Sequence, residues 1–343
     1  MHRTHIFRLL LAPLLALALL AGLSLGPSVP SAAAADKIVY GMPGVPPVFV
    51  SVMPYVARDL GFYKKYGVDV ELRAFESGAA ATQAVVSGAI DAALSPTALY
   101  IKMDSNAGAD VVGIMGHEHP DWLLGAMDAG KGTCDALKGQ GVGVDSIGGA
   151  RAIALQQMLR GCNFKIEDVQ QVSLSSNVGA AMVAGQLVYG VLHIDDVPVI
   201  ERESGKKLAI VKTLAQVNPG THYITMVVKR ASLAKKRDAL LRMLAAQIEA
   251  VRYMRDPANL AKVAEAAKVT GRSHADAAES VKRYNAMEFW PVDSAGLSRQ
   301  QFEKDVATQV RIGGIKAGKT PTPYEQLTDA TLFDEAMKLV KSR

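Results

Sequence analysis

The chain has little cysteine, no dense basic run and no familiar catalytic signature, and each absence narrows its function. Only Cys134 and Cys162 occur among 343 residues. In an oxidising compartment the two can bond, but two separate buried thiols fit the sequence equally well. No stretch of Lys and Arg with interleaved aromatics appears, which argues against nucleic acid as a partner. Beyond residue 35, Gly-x-Ser-x-Gly, His-Glu-x-x-His and a nucleophilic cysteine beside an obvious base are all missing, so a non-enzymatic role is expected. No Gly-Lys-Ser/Thr follows the SGA (77–79) or DSIGGAR (145–151) loop, so neither is a P-loop.

One long apolar run stands at the amino end. MHRTHIFR is followed by apolar residues 9–26 and by PSVPSAAAAD, the basic, apolar and small-residue order of a secretory signal. Cleavage near Ala35 is expected; an uncleaved anchor is the alternative, because 18 residues nearly span a bilayer. No cysteine follows the run, so a lipoprotein anchor is not expected. Setting these 35 residues aside leaves 308, about two ordinary domains, and lowers the formal charge from +5 to +3. No second long apolar run occurs, and a soluble exported protein is expected.

The remaining chain alternates strand and helix patterns, which predicts an α/β fold with parallel sheets. KIVYGMPG, VDVELRAF, IDAALS and DVVGIMG read as strands, separated by helical stretches such as SGAAATQAVVSG. The order then recurs: QGVGVDSIGG, ARAIALQQMLRG, DVQQVSL, SSNVGAAMVAG and LVYGVLH. Gly88 matches Gly185 at an offset of 97, and Gly41 matches Gly143 at 102. A repeat of this kind predicts two similar lobes. THYITMVVKR then reads as a strand returning to the first lobe, whose surface the helical remainder covers. Lobe 1 is placed at 36–125 and 223–343, lobe 2 at 126–222, with hinge crossings near 123–135 and 216–223.

These residues resemble the exported substrate-binding proteins of bacterial ABC importers. The resemblance is to the group serving nitrate, taurine, alkanesulfonates, aromatic acids and thiamine-pyrimidine precursors. It rests on Gly61, Phe62, Tyr63, Gly67, Val70, Ser77, Gly78, Gly88, Asp91 and Ala93, with DALKGQGVGV and PVDSAGLSRQQFEKDVATQVRIGGI further on. Val188 departs from the aspartate common at its position, and GHEHPDW has no counterpart in the group's pattern. The resemblance implies a type II periplasmic-binding-protein fold, a periplasmic location, a monomer and delivery of solute to an inner-membrane permease. A membrane sensor kinase is the alternative partner.

Ligands in such sheets bind beyond the carboxyl ends of the strands. The loops found there nominate Val45, Pro46, Ser77, Gly78, Ser95, Thr97 and His117 in lobe 1, and Ser146, Gly148, Gly149, Arg151, Asn177, His193 and Asp195 in lobe 2. In DSIGGAR, Ser146 is expected to cap a helix, the glycines to admit an anion, and Arg151 to add charge. An ordinary capped turn is the alternative. Val45, Pro46, Pro47, Tyr100, Trp122 and Tyr223 supply an apolar and aromatic lining, so the expected solute is a small organic anion. No cofactor is expected. GHEHPDW reads as a pocket lip; a metal-dependent protein or enzyme using His117, His119, His193 and Asp195 is the competing reading.

Overall fold

The computed structural model describes residues 36–117, 119–218 and 223–342. The export signal expected over residues 1–35 lies outside the described residues, as do Glu118 and His222. Lobe 1 begins with β1 (Asp36–Pro43), α1 (Val52–Asp59), α2 (Phe62–Lys65), β2 (Val68–Phe75), α3 (Gly78–Val86), β3 (Ala92–Pro96), α4 (Thr97–Ala107) and β4 (Val111–His117). Lobe 2 follows with β5 (Trp122–Ala126), β6 (Gly141–Val144), α5 (Ala150–Arg160), β7 (Gln170–Ser173), α6 (Val178–Val183), β8 (Tyr189–His193), α7 (Asp196–Ser204), β9 (Ala209–Thr213) and α8 (Leu214–Val217). The chain then returns through β10 (Ile224–Lys229). Its helical tail is α9 (Arg230–Arg255), α10 (Leu260–Ala267), α11 (His274–Ala286), α12 (Arg299–Arg311), α13 (Tyr324–Leu327) and α14 (Thr331–Lys341).

The two sheets have the orders β2-β1-β3-β10-β4 and β7-β6-β8-β5-β9, which correspond strand for strand. In each, four strands run the same way and the fourth in order runs against them: β10 lies between β3 and β4, and β5 between β8 and β9. Each antiparallel strand is the first one laid down after a crossing, so the crossings complete the sheets as well as hinge them. The matched glycines occupy matched places. Gly88 and Gly185 end α3 and α6 with φ of 79° and 72°, a backbone that favours glycine.

β5 corrects one expected boundary. WLLGA is wholly buried and pairs with β8 and β9, so the chain has crossed before Trp122, where lobe 2 begins. A strand buried on both faces carries no alternation to mark it, which is why its four apolar residues pass for a hinge.

The core follows from continuous burial. Every residue of β3, β4, β5 and β8 is buried, as expected where helices cover both faces. The 26-residue α9 packs on β1, β2, α1 and α2, with α14 alongside, and so covers lobe 1. A smaller cluster of Leu123, Val178, Met182, Leu192, Ile200 and Leu208 lies beneath α6 and α7 in lobe 2. Cys134 and Cys162 form a disulfide with Cα atoms 5.4 Å apart, settling the choice that the sequence leaves open.

Candidate functional site

Carboxyl ends of both sheets face one another across a cleft. Its mouth has a volume of about 450 Å³ and is lined by Pro46, Pro47, Val48 and Phe49 from lobe 1 and by Ser176, Asn177 and α6 from lobe 2. Deeper in, the lobes leave only about 10 Å³ beside Gly44, Ser77, Gly78, Asp145 and Trp122, and about 20 Å³ beside Pro96, Ala98, Ile153 and Tyr223. Arg151 and His193 border both the mouth and the interior. The cleft is shut by Ser175, whose Oγ donates to Glu76 O at 3.0 Å and accepts from Val45 N at 3.3 Å.

The DSIGGAR loop is built differently from the expectation. Ser146 does not cap α5; Gly149 is the N-cap, and the Asp145 carboxylate accepts from Arg151 N at 3.1 Å. A built-in anion therefore occupies the helix start that a ligand anion was expected to use. Gly148 makes the turn with φ 79°. The Ser146 hydroxyl is buried without a hydrogen-bond partner among the described residues. Arg151 is 2% exposed, and its guanidinium donates to Val191 O at 2.9 Å and Ser175 O at 3.2 Å. It also lies 5.2 Å from the Trp122 ring and 3.6 Å from Asp196. Its charge is thus held by the protein itself. Burial raises the Asp145 carboxyl above the usual aspartate value, with Arg151 opposing the rise.

Lobe 1's nominated residues divide in two. Ser77 caps α3, accepting from Ala80 N at 3.3 Å, and lines the interior with Gly78. Ser95 and Thr97, by contrast, turn inward. Ser95 Oγ meets Thr82 Oγ1 at 2.8 Å and Thr97 Oγ1 meets Thr225 Oγ1 at 2.8 Å, which satisfies buried hydroxyls inside lobe 1. Tyr100 is likewise core, packed on Phe302 rather than lining the cleft. His117 is fully buried edge-on to Phe289, at 4.8 Å between centroids, and borders none of the three cavities of the cleft. His119 is exposed. One histidine is buried and the other exposed, and neither belongs to a cluster of three ligating side chains among the described residues.

Asp121 is the part of GHEHPDW that reaches the site. Its Oδ2 lies 2.7 Å from His193 Nδ1, and the Tyr284 hydroxyl donates to the same oxygen. Tyr284, from α11, also reaches Asp195 Oδ1 at 2.7 Å. Arg272, just before α11, pairs with Asp195 and, at 2.6 Å, with Asp196. His193 stacks on Trp122 with centroids 3.6 Å apart, and Trp122 meets Tyr223 edge-on at 5.2 Å. Burial raises Asp195; burial also pushes Asp196 upward, but Arg272 and Arg151 outweigh it and hold that carboxyl low. Burial works against the Arg272 charge too, yet the two aspartates raise its pKa further.

Among the described residues the nearest approach to a metal site is Asp121, His193 and Asp195, whose ligating atoms lie within 4.8 Å of one another. Tyr284 and Arg272 already hydrogen-bond those carboxylates, and the guanidinium puts a positive charge where a cation would enter. Arg272, Tyr284 and Asp145 are absent from the sequence-derived set. Asp145 stood next to a nominated residue; Arg272 and Tyr284 come from the tail, where no local pattern marks them.

Comparison with known proteins agrees with this architecture. A putative binding protein of Brucella abortus is 27% identical over 161 residues, covering 46% of this chain and 49% of its own. The chain thus matches about half the length of that curated relative. The periplasmic nitrate-binding protein of Synechocystis shares the fold with a TM-score of 0.73, at 13% identity and 90% coverage of both chains. A ligand-binding component of an ABC-type import system from Staphylococcus aureus, solved with zinc bound, gives a TM-score of 0.67 at 13% identity, covering 88% of this chain and 99% of its own. The two-lobed periplasmic-binding-protein fold is therefore the fold of this chain. The NMT1/THI5-like family model matches residues 49–259, well over half of the sequence, and the chain belongs to that family.

Proposed function

We propose that this chain is the periplasmic solute-binding component of an ABC-type importer, a monomer that captures a small organic solute between its lobes and presents it to a membrane permease. The observation that carries the reading is the cleft itself. Hydrogen-bonding and aromatic groups from both lobes converge there, and Ser175 ties lobe 2 to Glu76 and Val45 of lobe 1. Hinged lobes that close on a ligand desolvate it and change the outer surface together, which is what a permease can read. The solute is bound and released unchanged. An organic anion is the solute suggested by the loops in sequence; the filled helix start and engaged Arg151 give it less support than the sequence does.

A second reading is favoured by Asp121, His193 and Asp195, which could hold a divalent cation if Arg272 swung away. One experiment separates the two. The mature protein is melted with a broad solute panel, with and without EDTA. A ligand at about a hundred times its dissociation constant adds roughly 2.7 kcal/mol to the folded state, a shift of a few degrees. An EDTA-insensitive shift supports the solute binder; loss of stability with EDTA and no response to any solute supports the metal reading instead.

A further inference from the structure

The interior of the cleft carries more carboxylates than cations. Glu76 and Asp145 border it against Arg151, while at the mouth Asp196, Glu203 and Asp276 face Arg151, Arg202 and Arg272, and Asp121 and Asp195 lie buried beside His193. All three guanidiniums are engaged by the protein, Arg151 on two backbone carbonyls, Arg272 on Asp195 and Asp196, and Arg202 on Asp276 and Glu203. Asp145 borders the interior and is 8% exposed; its hydrogen bond comes from the backbone N–H of Arg151, and no ion pair to it occurs among the described residues. An anion entering here would add negative charge beside a buried carboxylate, with no unengaged cation to offset it.

His193 supplies an independent observation. Its Nδ1 faces Asp121 Oδ2 at 2.7 Å, and a carboxylate accepts, so Nδ1 carries the hydrogen. Nε2, on the opposite side of the ring, is then an acceptor in the neutral imidazole, and it is buried with no partner among the described residues. His193 is 2% exposed and borders the cleft at both its mouth and its interior. A buried acceptor with nothing to accept calls for a donor from the ligand. Carboxylates, sulfonates and nitrate have none to give, whereas a protonated nitrogen has one to three. Tyr223 borders the interior and offers an aromatic ring to the apolar body of an organic ion, and a cation gains further from such a ring.

We infer that the solute of this cleft is a small organic cation, an amine, amidine or protonated nitrogen heterocycle, which donates to His193 Nε2 and is balanced by Asp145. The inference rests on the solute-binding reading above and fixes the sign of the ligand's charge.

Sets of solutes matched in shape and differing in charge test it on the mature full chain: benzamidine, benzamide and benzoate; phenethylamine, phenethyl alcohol and phenylacetate; putrescine, butanediol and succinate. Melting and calorimetry are run on all nine, and native mass spectrometry reports any co-purified solute. The expected result is binding of a cationic member at least about tenfold tighter than its neutral partner, a difference of about 1.4 kcal/mol. Asp145→Asn is expected to remove that preference while Asp145→Glu retains part of it, with circular dichroism verifying that each variant folds. Binding led by a neutral or anionic member, or co-purification of an anion, overturns the charge assignment and leaves the solute-binding reading standing. No response to any charge class and no co-purified solute sinks both.

Discussion

A Cβ added at Gly149 would lie 2.5 Å from both carboxylate oxygens of Asp145. The glycine's backbone (φ −73°, ψ 179°) is one that any residue adopts, so its role is to leave room for a side chain rather than to make a turn. Gly149→Ala is therefore expected to destabilise the fold by about 1–3 kcal/mol by displacing the helix-capping carboxylate. Asp145→Ala removes that obstruction. In its background the alanine at 149 should be nearly neutral, giving a double-mutant coupling in urea unfolding that equal, additive losses would refute.

Arg272 joins lobe 1 to Asp195 and Asp196 of lobe 2, with Asp195 fully buried. Removing one partner of a buried ion pair leaves the other charge uncompensated. Arg272→Ala should cost about 3–5 kcal/mol in the closed form. Because opening the lobes rehydrates both aspartates, part of that loss should emerge as a more open molecule, seen as a larger radius of gyration by small-angle scattering. An unchanged radius with unchanged stability would show that the pair does not hold the lobes.

The two aspartates pull the pH profile in opposite directions. Burial raises Asp195, so in its window the folded protein holds more protons than the unfolded chain. Its contribution is fully present below the ordinary aspartate value of about 3.9 and is lost as pH rises through the raised folded value. Asp196 is held low by Arg272 and Arg151 against the pull of burial. Its contribution is present above the ordinary value and lost as pH falls through the depressed one. Urea midpoints measured across the acid range should show Asp195→Asn flattening the decline toward higher pH and Asp196→Asn flattening the decline toward acid. The reverse assignment would contradict the placement of Arg272.

Which parts of this were legible in sequence follows from how far each signal reaches. The repeat was readable because Gly88 and Gly185 sit at equivalent ends of α3 and α6, a local requirement that recurs along the chain. The loops at strand ends were readable for the same reason, and Ser77, Gly78, Arg151 and His193 do border the cleft. Ser95 and Thr97 occupy an equally good position by that rule, yet their hydroxyls meet Thr82 of the α3 packed on β3 and Thr225, which the pairing of β10 against β3 brings near. Tyr284 and Arg272 were beyond reach. Helical periodicity tells which face of α11 is buried, and nothing in it says that the face meets Asp121 and Asp195, far back along the chain in sequence.

The bond between Cys134 and Cys162 closes a loop across a sequence separation of 28 and ties the segment before β6 to the end of α5. Loop-closure entropy puts its contribution at roughly 3.5 kcal/mol. Reduction, or the Cys134→Ser/Cys162→Ser pair, should lower the melting temperature without changing which solutes bind, since neither residue borders the cleft. A change in solute preference would mean that the bond shapes the site as well as the lobe.

Ser175 offers the most direct handle on closure. Its hydroxyl makes two cross-cleft contacts, to Glu76 O and from Val45 N, and the residue is held at φ 54°, a conformation that side chains other than Asn and Asp seldom adopt. Ser175→Ala keeps the backbone requirement and deletes the bridge, so the closed form should lose about 0.5–1.5 kcal/mol. Solute affinity measured by calorimetry should then weaken by roughly two- to tenfold, because binding must supply the closure energy that the hydroxyl provided. Ser175→Gly makes the complementary test. It removes the same bridge but relieves the strained φ, so it should match the alanine variant in affinity while unfolding at a higher temperature. If affinity instead follows the melting temperature across the two variants, the bridge is not what closes the lobes.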